Sequence, residues 1–348
     1  MTELVLRQAG PDDDEAIAAC IAEAFPDNPK ADVDVLRWQY RDNPFGETSS
    51  WVWDDGGRIV AHYSGFPMPC LIDGEVGLTA NAVDAAVAPD QQGKGLFTPL
   101  ARALYEDCAA KGMAISYCFG SNPVALHAVG KAGWMEVARL RTAVLPVDDG
   151  WVAGRFHVPR SVAYAARRIL FRLGSGPAGQ QADELPDGID DLWARVVAAG
   201  DIRNGTIRGE AWFRWRYEAS PRVGYKHFVA RSNGRLDAIA TVLVKDDFGG
   251  RFAYLLELLA VDADHARRVL RAVAAGSPGI AGLATLAVSG SQLHRIATSA
   301  GMRTLPRRLE PKPARFGFVD NAAGSGRGTL AHLRRATWQV GWGDLDQL

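Results

Sequence analysis

The sequence predicts an α+β protein built from two tandem copies of one unit, because of its length and an internal repeat. With 348 residues, the chain is long for a single domain and sufficient for two. The segment Arg37–Pro44 has the pattern Arg-Trp-x-Tyr with a proline four residues after the tyrosine, and Arg214–Pro221 repeats that pattern. Further along, Gly120-Ser121 has its counterpart in Gly290-Ser291. Repeats that keep the same order along the chain predict a duplication.

The composition is that of an ordinary folded protein, and it argues against several classes of function. The chain is 47% hydrophobic, and 39 Lys and Arg residues balance 40 Asp and Glu residues to a net charge of −1. This balance offers no general attraction to nucleic acid or anionic membranes, so we expect neither as a partner. The four cysteines form no CxxC pair, and we expect no metal. A charged start and the lack of a run of about 18 apolar residues predict a cytoplasmic protein.

Turn signals and apolar periodicity in the first copy predict helices mixed with hairpin strands. This mixture is typical of a mixed, mostly antiparallel twisted sheet flanked by helices rather than of a doubly wound parallel sheet. The predicted strands are 3–8, 51–53, 58–68, 78–87, 113–118 and 135–145, and the predicted helices are 11–25, 33–40, 95–111 and 123–131.

A helix and a linker are predicted between the two copies. Residues 161–173 have helical spacing, with Ser161 placed as the N-cap and Gly174 as the C-cap. The residues that follow Gly174 have the composition of a flexible linker. The arginines of this helix could mark a membrane-surface or partner helix, but we favour a helix packed at the domain junction with its arginines in solvent. The predicted domains are therefore 1–150 and 186–348, joined by the helix and linker 151–185.

A glycine turn between a strand and a helix carries the clearest chemical information. The apolar strand ends at Pro89, and Gln92-Gly93-Lys94-Gly95 leads from there into a helix. Glycines let backbone N–H groups close on an anion, and the helix N-terminus adds a favourable dipole. The spacing is neither that of a P-loop nor GxGxxG, which disfavours a nucleoside triphosphate with magnesium and a dinucleotide. The pattern predicts a cradle for a phosphate or pyrophosphate.

This segment resembles the acetyl-CoA-binding motif of the GNAT acyltransferase superfamily, Q/R-x-x-G-x-G/A, in the form Gln92-x-x-Gly95-x-Phe97. The preceding residues 84–89 are similar to that family's fourth strand and its proline. A second motif of the family, N-x-x-A-x-x-x-Y-x-K-x-G-F, is similar to Asn122–Trp134. The two motifs occur in the family's order, and the resemblance covers residues 1–145.

The resemblance implies an N-acyltransferase that uses acetyl-CoA or another acyl-CoA as cosubstrate. In this family an amine attacks the thioester directly in a ternary complex, and backbone amides at the end of the fourth strand polarise the thioester carbonyl. The coenzyme-binding residues carried over from the family motifs are Ala86, Val87, Ala88, Gln92, Gly93, Lys94, Gly95, Leu96, Phe97, Thr98 and Asn122.

Two positions depart from the family pattern. Phe97 stands at the last glycine of the first motif, as in a bacterial branch that has GLFT or GIFT there, and the cradle is retained if residue 97 is already helical. Val129 stands where many members have a tyrosine that protonates the leaving thiolate. Either another hydroxyl group takes that role or coenzyme A leaves as the thiolate, since thiols are far more acidic than alcohols.

Three residues are candidates for moving protons during the reaction. Asp84 lies on the fourth strand and could act as a base, or it could be a structural carboxylate bonded to backbone, and both interpretations stay open. His62 could face the acceptor cleft, although a core or exposed histidine is more common. His127 could supply the missing acid, although its position turns it away from that side of the helix. Tyr40 recurs in the second copy, so we attribute it to packing.

The second copy lacks the glycine turn, since Asp262–Arg268 occupies its place and its aspartates would repel a pyrophosphate. We predict a degenerate GNAT-like domain that does not bind coenzyme A and that walls the acceptor cleft, stabilises the first domain or forms a homodimer contact. The leading hypothesis is acetyl transfer to a primary amine of a small molecule, such as an amino sugar or natural product. The alternative is a non-catalytic acyl-CoA sensor or scaffold.

Overall fold

The computed structural model describes residues 4–26, 31–120, 123–171, 173–221, 224–310, 314–321 and 330–345. It has the predicted α+β character. In chain order the strands are β1 (Leu4–Gln8), β2 (Ser49–Asp55), β3 (Arg58–Ile72), β4 (Glu75–Val87), β5 (Ile115–Gly120), β6 (Met135–Pro146), β7 (Gln180–Ala182), β8 (Gly205–Thr206), β9 (Tyr225–Ser232), β10 (Arg235–Asp247), β11 (Gly250–Ala260), β12 (Gly282–Val288), β13 (Arg303–Thr304) and β14 (Arg315–Asp320).

The α-helices surround these strands, and short 3-10 turns add to several loops. In chain order the helices are α1 (Asp14–Ala24), α2 (Val33–Tyr40), α3 (Phe97–Ala110), α4 (Pro123–Lys131), α5 (Asp149–Phe156), α6 (Arg160–Leu170), α7 (Ile189–Gly200), α8 (Glu210–Phe213), α9 (Ala263–Gly276) and α10 (Gln292–Ser299).

Two compact units make up the chain, and neither is a continuous stretch of sequence. Unit 1 comprises Met1–Ala138, Ala219–Arg222 and Ala314–Ala336. Its strands have the order β1-β2-β3-β4-β5-β14, with β4 and β5 parallel and the other neighbours antiparallel. One core forms where α3 lies on the sheet, because the buried side of α3, with Leu100 and Leu104, packs against Ala61 and Tyr63 of β3.

Unit 2 comprises Arg139–Glu218, Val223–Pro313 and Thr337–Leu348. Its strands have the order β6-β12-β11-β10-β9-β7, with β11 and β12 parallel and the other neighbours antiparallel. The apolar side of α9, with Val269, Leu270 and Val273, is fully buried on this sheet. Since the order hairpin, third strand, helix, parallel strand and helix occurs in both units, the structure has the architecture that the sequence repeat predicts.

Each half of the sequence contributes a strand to the unit built mainly from the other half. β14 comes from the end of the chain and pairs with β5 of unit 1, from Arg315↔Gly120 to Asp320↔Ile115. The part of β6 that belongs to unit 2 pairs with β12, from Gly282↔Pro146 to Val288↔Leu140. The division of the chain therefore differs from the predicted 1–150, 151–185 and 186–348, because local sequence gives no signal for strand pairing between distant segments.

The segment predicted as one helix and a linker contains two helices, α5 and α6, both within unit 2. The predicted N-cap at Ser161 is wrong: α6 begins at Arg160 after Pro159, whose fixed φ suits the start of a helix. The guanidinium of Arg167 is bonded to Asp149 across the helix pair, with 2.5 Å between Nε and Oδ1. Within the described residues, no helix is long and apolar enough to cross a membrane.

Candidate active site

The candidate site of unit 1 lies where β4 separates from β5. These parallel strands pair at Ala80↔Ser116 and Asn81↔Tyr117, and no further pairing between them occurs in the described part of the chain. β4 continues to Val87 beside β3, so the last residues of β4 have a strand neighbour on one side. A strand edge left unpaired inside a sheet exposes backbone groups that a ligand can bind.

A β-bulge in β4 changes the direction of the chain at this opening. Val83 pairs with Ser64 and Ala86 pairs with His62, so Asp84 and Ala85 lie opposite one residue of β3. Asp84 has φ +59°, in the left-handed region that aspartate and asparagine tolerate better than most side chains. Bulges of this kind frequently aim a side chain into a functional site.

Tyr40, at the end of α2, holds the Asp84 carboxylate. Its hydroxyl donates a hydrogen bond to Asp84 Oδ2 at 2.5 Å. Tyr40 is buried and Asp84 is half-buried. A charge-assisted bond to a partly buried carboxylate fixes the position of that carboxylate. This bond gives Tyr40 a role beyond the packing expected from the sequence. A carboxylate that bonds to the repeated tyrosine in both copies is the signal that could have identified this role.

His62 lies behind Asp84 and supports the bulge. Its side chain is 0% exposed, so it does not reach a ligand directly. His62 Nδ1 lies 3.0 Å from the Asp84 carbonyl oxygen, which can only accept, so Nδ1 carries the proton. Its Nε2 faces the hydroxyls of Ser64 at 2.7 Å and Ser50 at 3.1 Å. The structure therefore brings two of the three predicted catalytic residues together, with His62 as a positioning residue.

The third candidate, His127, does not bond to this group. It is exposed on α4, in a surface depression that also contains Lys131, Glu136 and Arg334. Val129, at the tyrosine position of the motif, is buried at 6% exposure and has no proton to give. Asn122 lies outside the described residues.

The glycine turn after β4 is exposed and adopts the backbone conformation that glycine allows. Gly93 has φ +77° and Gly95 has φ +80°. A Cβ at either position would have open space around it, so backbone conformation and not crowding explains the glycines. Gln92 Nε2 donates to the Val87 carbonyl at 3.1 Å, and Lys94 Nζ donates to Gln91 Oε1 at 2.9 Å.

A run of backbone amides in this turn has no acceptor among the described residues. Within the described ranges, no hydrogen bond is found from the N–H groups of Gly93 to Thr98, which lead into α3. Leu96, the N-cap residue, offers no side-chain acceptor to the helix. Exposed amides at a helix N-terminus favour a bound anion, through hydrogen bonds and the helix dipole.

Two aromatic residues fix the start of α3. Trp53 Nε1 donates to the Leu96 carbonyl at 2.9 Å. Phe97 is the first residue of α3, and its ring packs on Tyr63 with 5.3 Å between ring centroids. The condition under which we expected the cradle to tolerate Phe97 is therefore met, since residue 97 is helical and its side chain packs on the core.

The end of β4 contributes less than the motif implied. The Ala88 N–H donates to the Val60 carbonyl at 2.8 Å and is not available to a ligand. The side chains of Ala86 and Ala88 are buried, and Val87 is half-buried. Among the described residues, no group of three or more His, Cys, Asp or Glu side chains could hold a metal ion.

Residues 5–136 match the family model described as acetyltransferase (GNAT) domain. The match includes β4, its bulge, the glycine turn and α3. Over this segment, which is less than half of the chain, the protein is similar to the GNAT acetyltransferase domain. The enzyme class that belongs to this domain is N-acyltransferase. No significant match is found among curated proteins.

Solved structures with the same fold extend over both units. A probable N-acyltransferase of unknown function from Enterococcus faecalis has 12% identity and a TM-score of 0.64, covering 92% of this chain and 73% of that one. A GCN5-related N-acetyltransferase from Anabaena variabilis has 10% identity and a TM-score of 0.66, with the same coverage of 92% and 73%. A GCN5-related N-acetyltransferase from Kribbella flavida has 15% identity and a TM-score of 0.61, covering 91% and 71%. At these identities the likeness concerns the fold.

Unit 2 contains a counterpart of the tyrosine–carboxylate pair of the GNAT domain. Tyr217, in the repeated segment, donates to Glu257 of β11 at 2.9 Å between hydroxyl oxygen and Oε1. Glu257 also accepts from Trp212 Nε1 at 3.1 Å and from Arg208 Nε at 3.2 Å. Arg208 in turn pairs with buried Asp344. The Glu257 carboxyl is buried at 4% exposure, and burial raises its pKa. The pair is thus retained in unit 2 but sealed inside protein.

The helix after β11 satisfies its own first amides. Asp262 is the N-cap of α9, and its Oδ1 accepts from the N–H groups of Asp264 and His265, both at 2.9 Å. A side-chain carboxylate therefore occupies the place where an anion would bind in the GNAT domain. In unit 2 the Asp262 cap therefore stands in place of the glycine turn, which the second copy lacks.

Proposed function

We propose that the protein is an acetyl-CoA-dependent N-acetyltransferase that acetylates a primary amine of a small molecule. The observation that carries the proposal is the row of amides from Gly93 to Thr98 that find no acceptor among the described residues, directly after the strand whose bulge presents Asp84. We place the pyrophosphate of the coenzyme at these amides, with Ala86, Val87, Gln92 and Lys94 beside it. Ala88 contributes only through its buried side chain.

The reaction requires the side chains of the protein to accept one proton. Acetyl-CoA supplies an activated thioester, and the amine must lose a proton before or as it attacks. We assign proton removal to the Asp84 carboxylate, held by Tyr40 and backed by His62 through the Asp84 carbonyl. Val129 provides no acid, so coenzyme A leaves as the thiolate. We also propose that unit 2 binds no coenzyme and that the protein is cytoplasmic.

The amide cradle is tested by a charge placed in it and by the same charge at a matched position. Gly95 and Gly112 lie near opposite ends of α3, with φ +80° and +81°, and a Cβ has open space at both. Aspartate tolerates this conformation, so Gly95→Asp and Gly112→Asp should both fold. We expect Gly95→Asp to weaken acetyl-CoA binding at least tenfold in calorimetry, and Gly112→Asp to leave it unchanged.

Stoichiometry and turnover separate an enzyme from a sensor. We expect one acetyl-CoA site per chain, and thiol release when a panel of small primary amines is added. Equal losses of affinity in the two glycine variants would contradict the cradle. One intact site without turnover on any amine would favour the acyl-CoA sensor or scaffold. Two sites would contradict the interpretation of the Asp262 cap.

A further inference from the structure

Unit 2 contains an open cavity of about 680 Å³ between the α5–α6 helix pair and its sheet. Residues of β6, β10, β11 and β12 line one side, and residues 303–309 complete the wall. The volume falls in the range of small-molecule sites, roughly 300–1,000 Å³. Protein interiors leave few voids larger than a water molecule, so a space of this size is not a packing defect.

Aromatic and aliphatic side chains form the interior of the cavity. Trp151 packs edge-on against Phe252 with 5.1 Å between ring centroids, and Tyr254 packs against Trp342 at 4.7 Å. The Tyr254 hydroxyl is engaged by Asp247 Oδ2 at 2.5 Å, so it offers little polarity to the cavity. Such walls favour a hydrocarbon ligand, because its burial removes apolar surface from water on both sides.

The mouth of the cavity is also apolar. Several large side chains that line the cavity remain exposed to solvent, with Phe156 and Leu170 at 51% each. The full set is Phe156, Val162, Leu170, Phe248 and Leu309. A cluster of exposed apolar side chains around an apolar cavity is typical of a ligand-binding site. A chain passing through the mouth would cover these side chains.

Positive charge accompanies these apolar residues. Arg155, Lys245 and Arg303 line the cavity and are exposed, so they lie at its mouth. In the described part of the chain, Arg155 and Lys245 make no hydrogen bond or ion pair, and Arg303 bonds through Nε to the Leu170 carbonyl. Asp247, the carboxylate in the lining, is occupied by Tyr254. The mouth is therefore complementary to an anion.

We propose that this cavity binds a single-chain amphiphile, with a long hydrocarbon chain inside and an anionic carboxylate or phosphate head at Arg155, Lys245 and Arg303. The site is separate from the acetyl-CoA site, so it stands or falls independently of the acetyltransferase proposal. It gives unit 2, whose counterpart of the GNAT site is sealed, a ligand of its own.

The test uses the full-length protein and the fluorescent fatty acid cis-parinaric acid. We expect saturable binding of one molecule per chain, with displacement by palmitate or by hexadecyl phosphate, and the tighter competitor identifies the head group. Hexadecanol, which has the chain without the charge, should compete at least tenfold less well. Lack of saturable binding, or equal competition by hexadecanol, would overturn the proposal. So would binding to anionic vesicles without binding of the monomeric probe, which would indicate a membrane surface.

Two matched pairs of variants locate the site. Ala163 lines the cavity and Ala165 is exposed on the same helix, so Ala163→Trp should abolish probe binding and Ala165→Trp should not. Because Ala163 is buried, its substitution also changes packing. A second pair of variants therefore changes only the charge of an exposed arginine. Arg155→Glu should weaken palmitate binding at least tenfold and leave hexadecanol unchanged, whereas Arg168→Glu, outside the lining, should change neither. An unchanged circular dichroism spectrum and cooperative thermal unfolding verify the fold of each variant, and equal effects within either pair would reject the site.

Discussion

Asp84 combines an unusual backbone conformation with the chemistry that the reaction needs. Its φ of +59° places it at the bulge of β4, where the strand leaves β5. Tyr40 orients the side chain and His62 binds the carbonyl, so two buried residues stabilise a conformation that most side chains avoid. The sequence identified Asp84 because it lies on the strand before the motif, and His62 because it could face the acceptor cleft, but it did not reveal the bulge that brings them together.

Removing the charge of Asp84 without disturbing the bulge tests its role as base. Asparagine also tolerates positive φ and retains an oxygen that accepts from Tyr40, so Asp84→Asn should fold. We expect kcat to fall about 100-fold or more, the usual scale for loss of a general base, with little change in the KM for acetyl-CoA. Asp73→Asn, at a half-buried turn residue with φ +52° whose carboxylate bonds to His332, is the control. A kcat within twofold of wild type would reassign Asp84 to a structural role.

Two histidines of unit 2 make stability depend on pH. Burial lowers the pKa of His227 and of His294 below 6.5. At acidic pH the unfolded chain therefore binds more protons at these histidines than the folded protein does. The stabilisation is therefore present above pH 6.5 and is lost as the pH falls through the depressed folded values. We expect the thermal midpoint to drop between pH 7.5 and 5.5, and the double variant His227→Gln, His294→Gln to show a flatter profile. An identical slope in that variant would assign the pH dependence to other groups.

At the scale of elements, the two helices that follow the third strand of each repeat differ at their first turn. α3 begins with open amides and α9 begins with amides bonded to the Asp262 carboxylate. Local sequence predicted a contrast, since the first copy has glycines at the turn and the second has aspartates that would repel a pyrophosphate, but it did not predict that Asp262 is the N-cap of α9. It did not predict α5, although Asp148 caps that helix by accepting from the Gly150 N–H at 2.7 Å.

The hydrogen bond between β2 and the start of α3 should tune coenzyme affinity. Trp53→Phe keeps an aromatic ring but removes the donor to Leu96, a loss of about 1 kcal/mol for a typical hydrogen bond. If that bond holds the cradle in place, acetyl-CoA binding weakens about fivefold. Trp51 lies on the same strand, and its buried Nε1 has no hydrogen-bond partner among the described residues, so Trp51→Phe is a matched control. Equal affinities in the two variants would show that α3 is positioned without this bond.

At the scale of the molecule, the duplication explains the repeated architecture but not the way the sheets are completed. β14 completes the sheet of unit 1 and β6 pairs within unit 2. Repeated motifs revealed the number of copies, because they are local in sequence. Strand pairing over long separations depends on tertiary packing, which single-sequence patterns do not contain, and the predicted boundaries at 150 and 186 reflect that limit.

Fragments of the chain should therefore depend on each other. The fragment 1–150 lacks β14 and the fragment 151–348 lacks β6, so each leaves a sheet incomplete. We expect neither to bind acetyl-CoA or unfold cooperatively alone, and co-expression of the two to restore binding. Full-length affinity in fragment 1–150 alone would show that β14 is dispensable for the GNAT domain.

The exchange of strands also has a consequence for synthesis on the ribosome. β5 ends at Gly120, whereas its partner β14 begins at Arg315, close to the end of the chain. Until that late segment emerges, the nascent GNAT domain exposes an open strand edge, the kind of surface that pairs with other chains and aggregates. Slow translation or a premature stop would prolong that exposure, so the yield of folded enzyme should depend on chaperones that protect the edge during elongation.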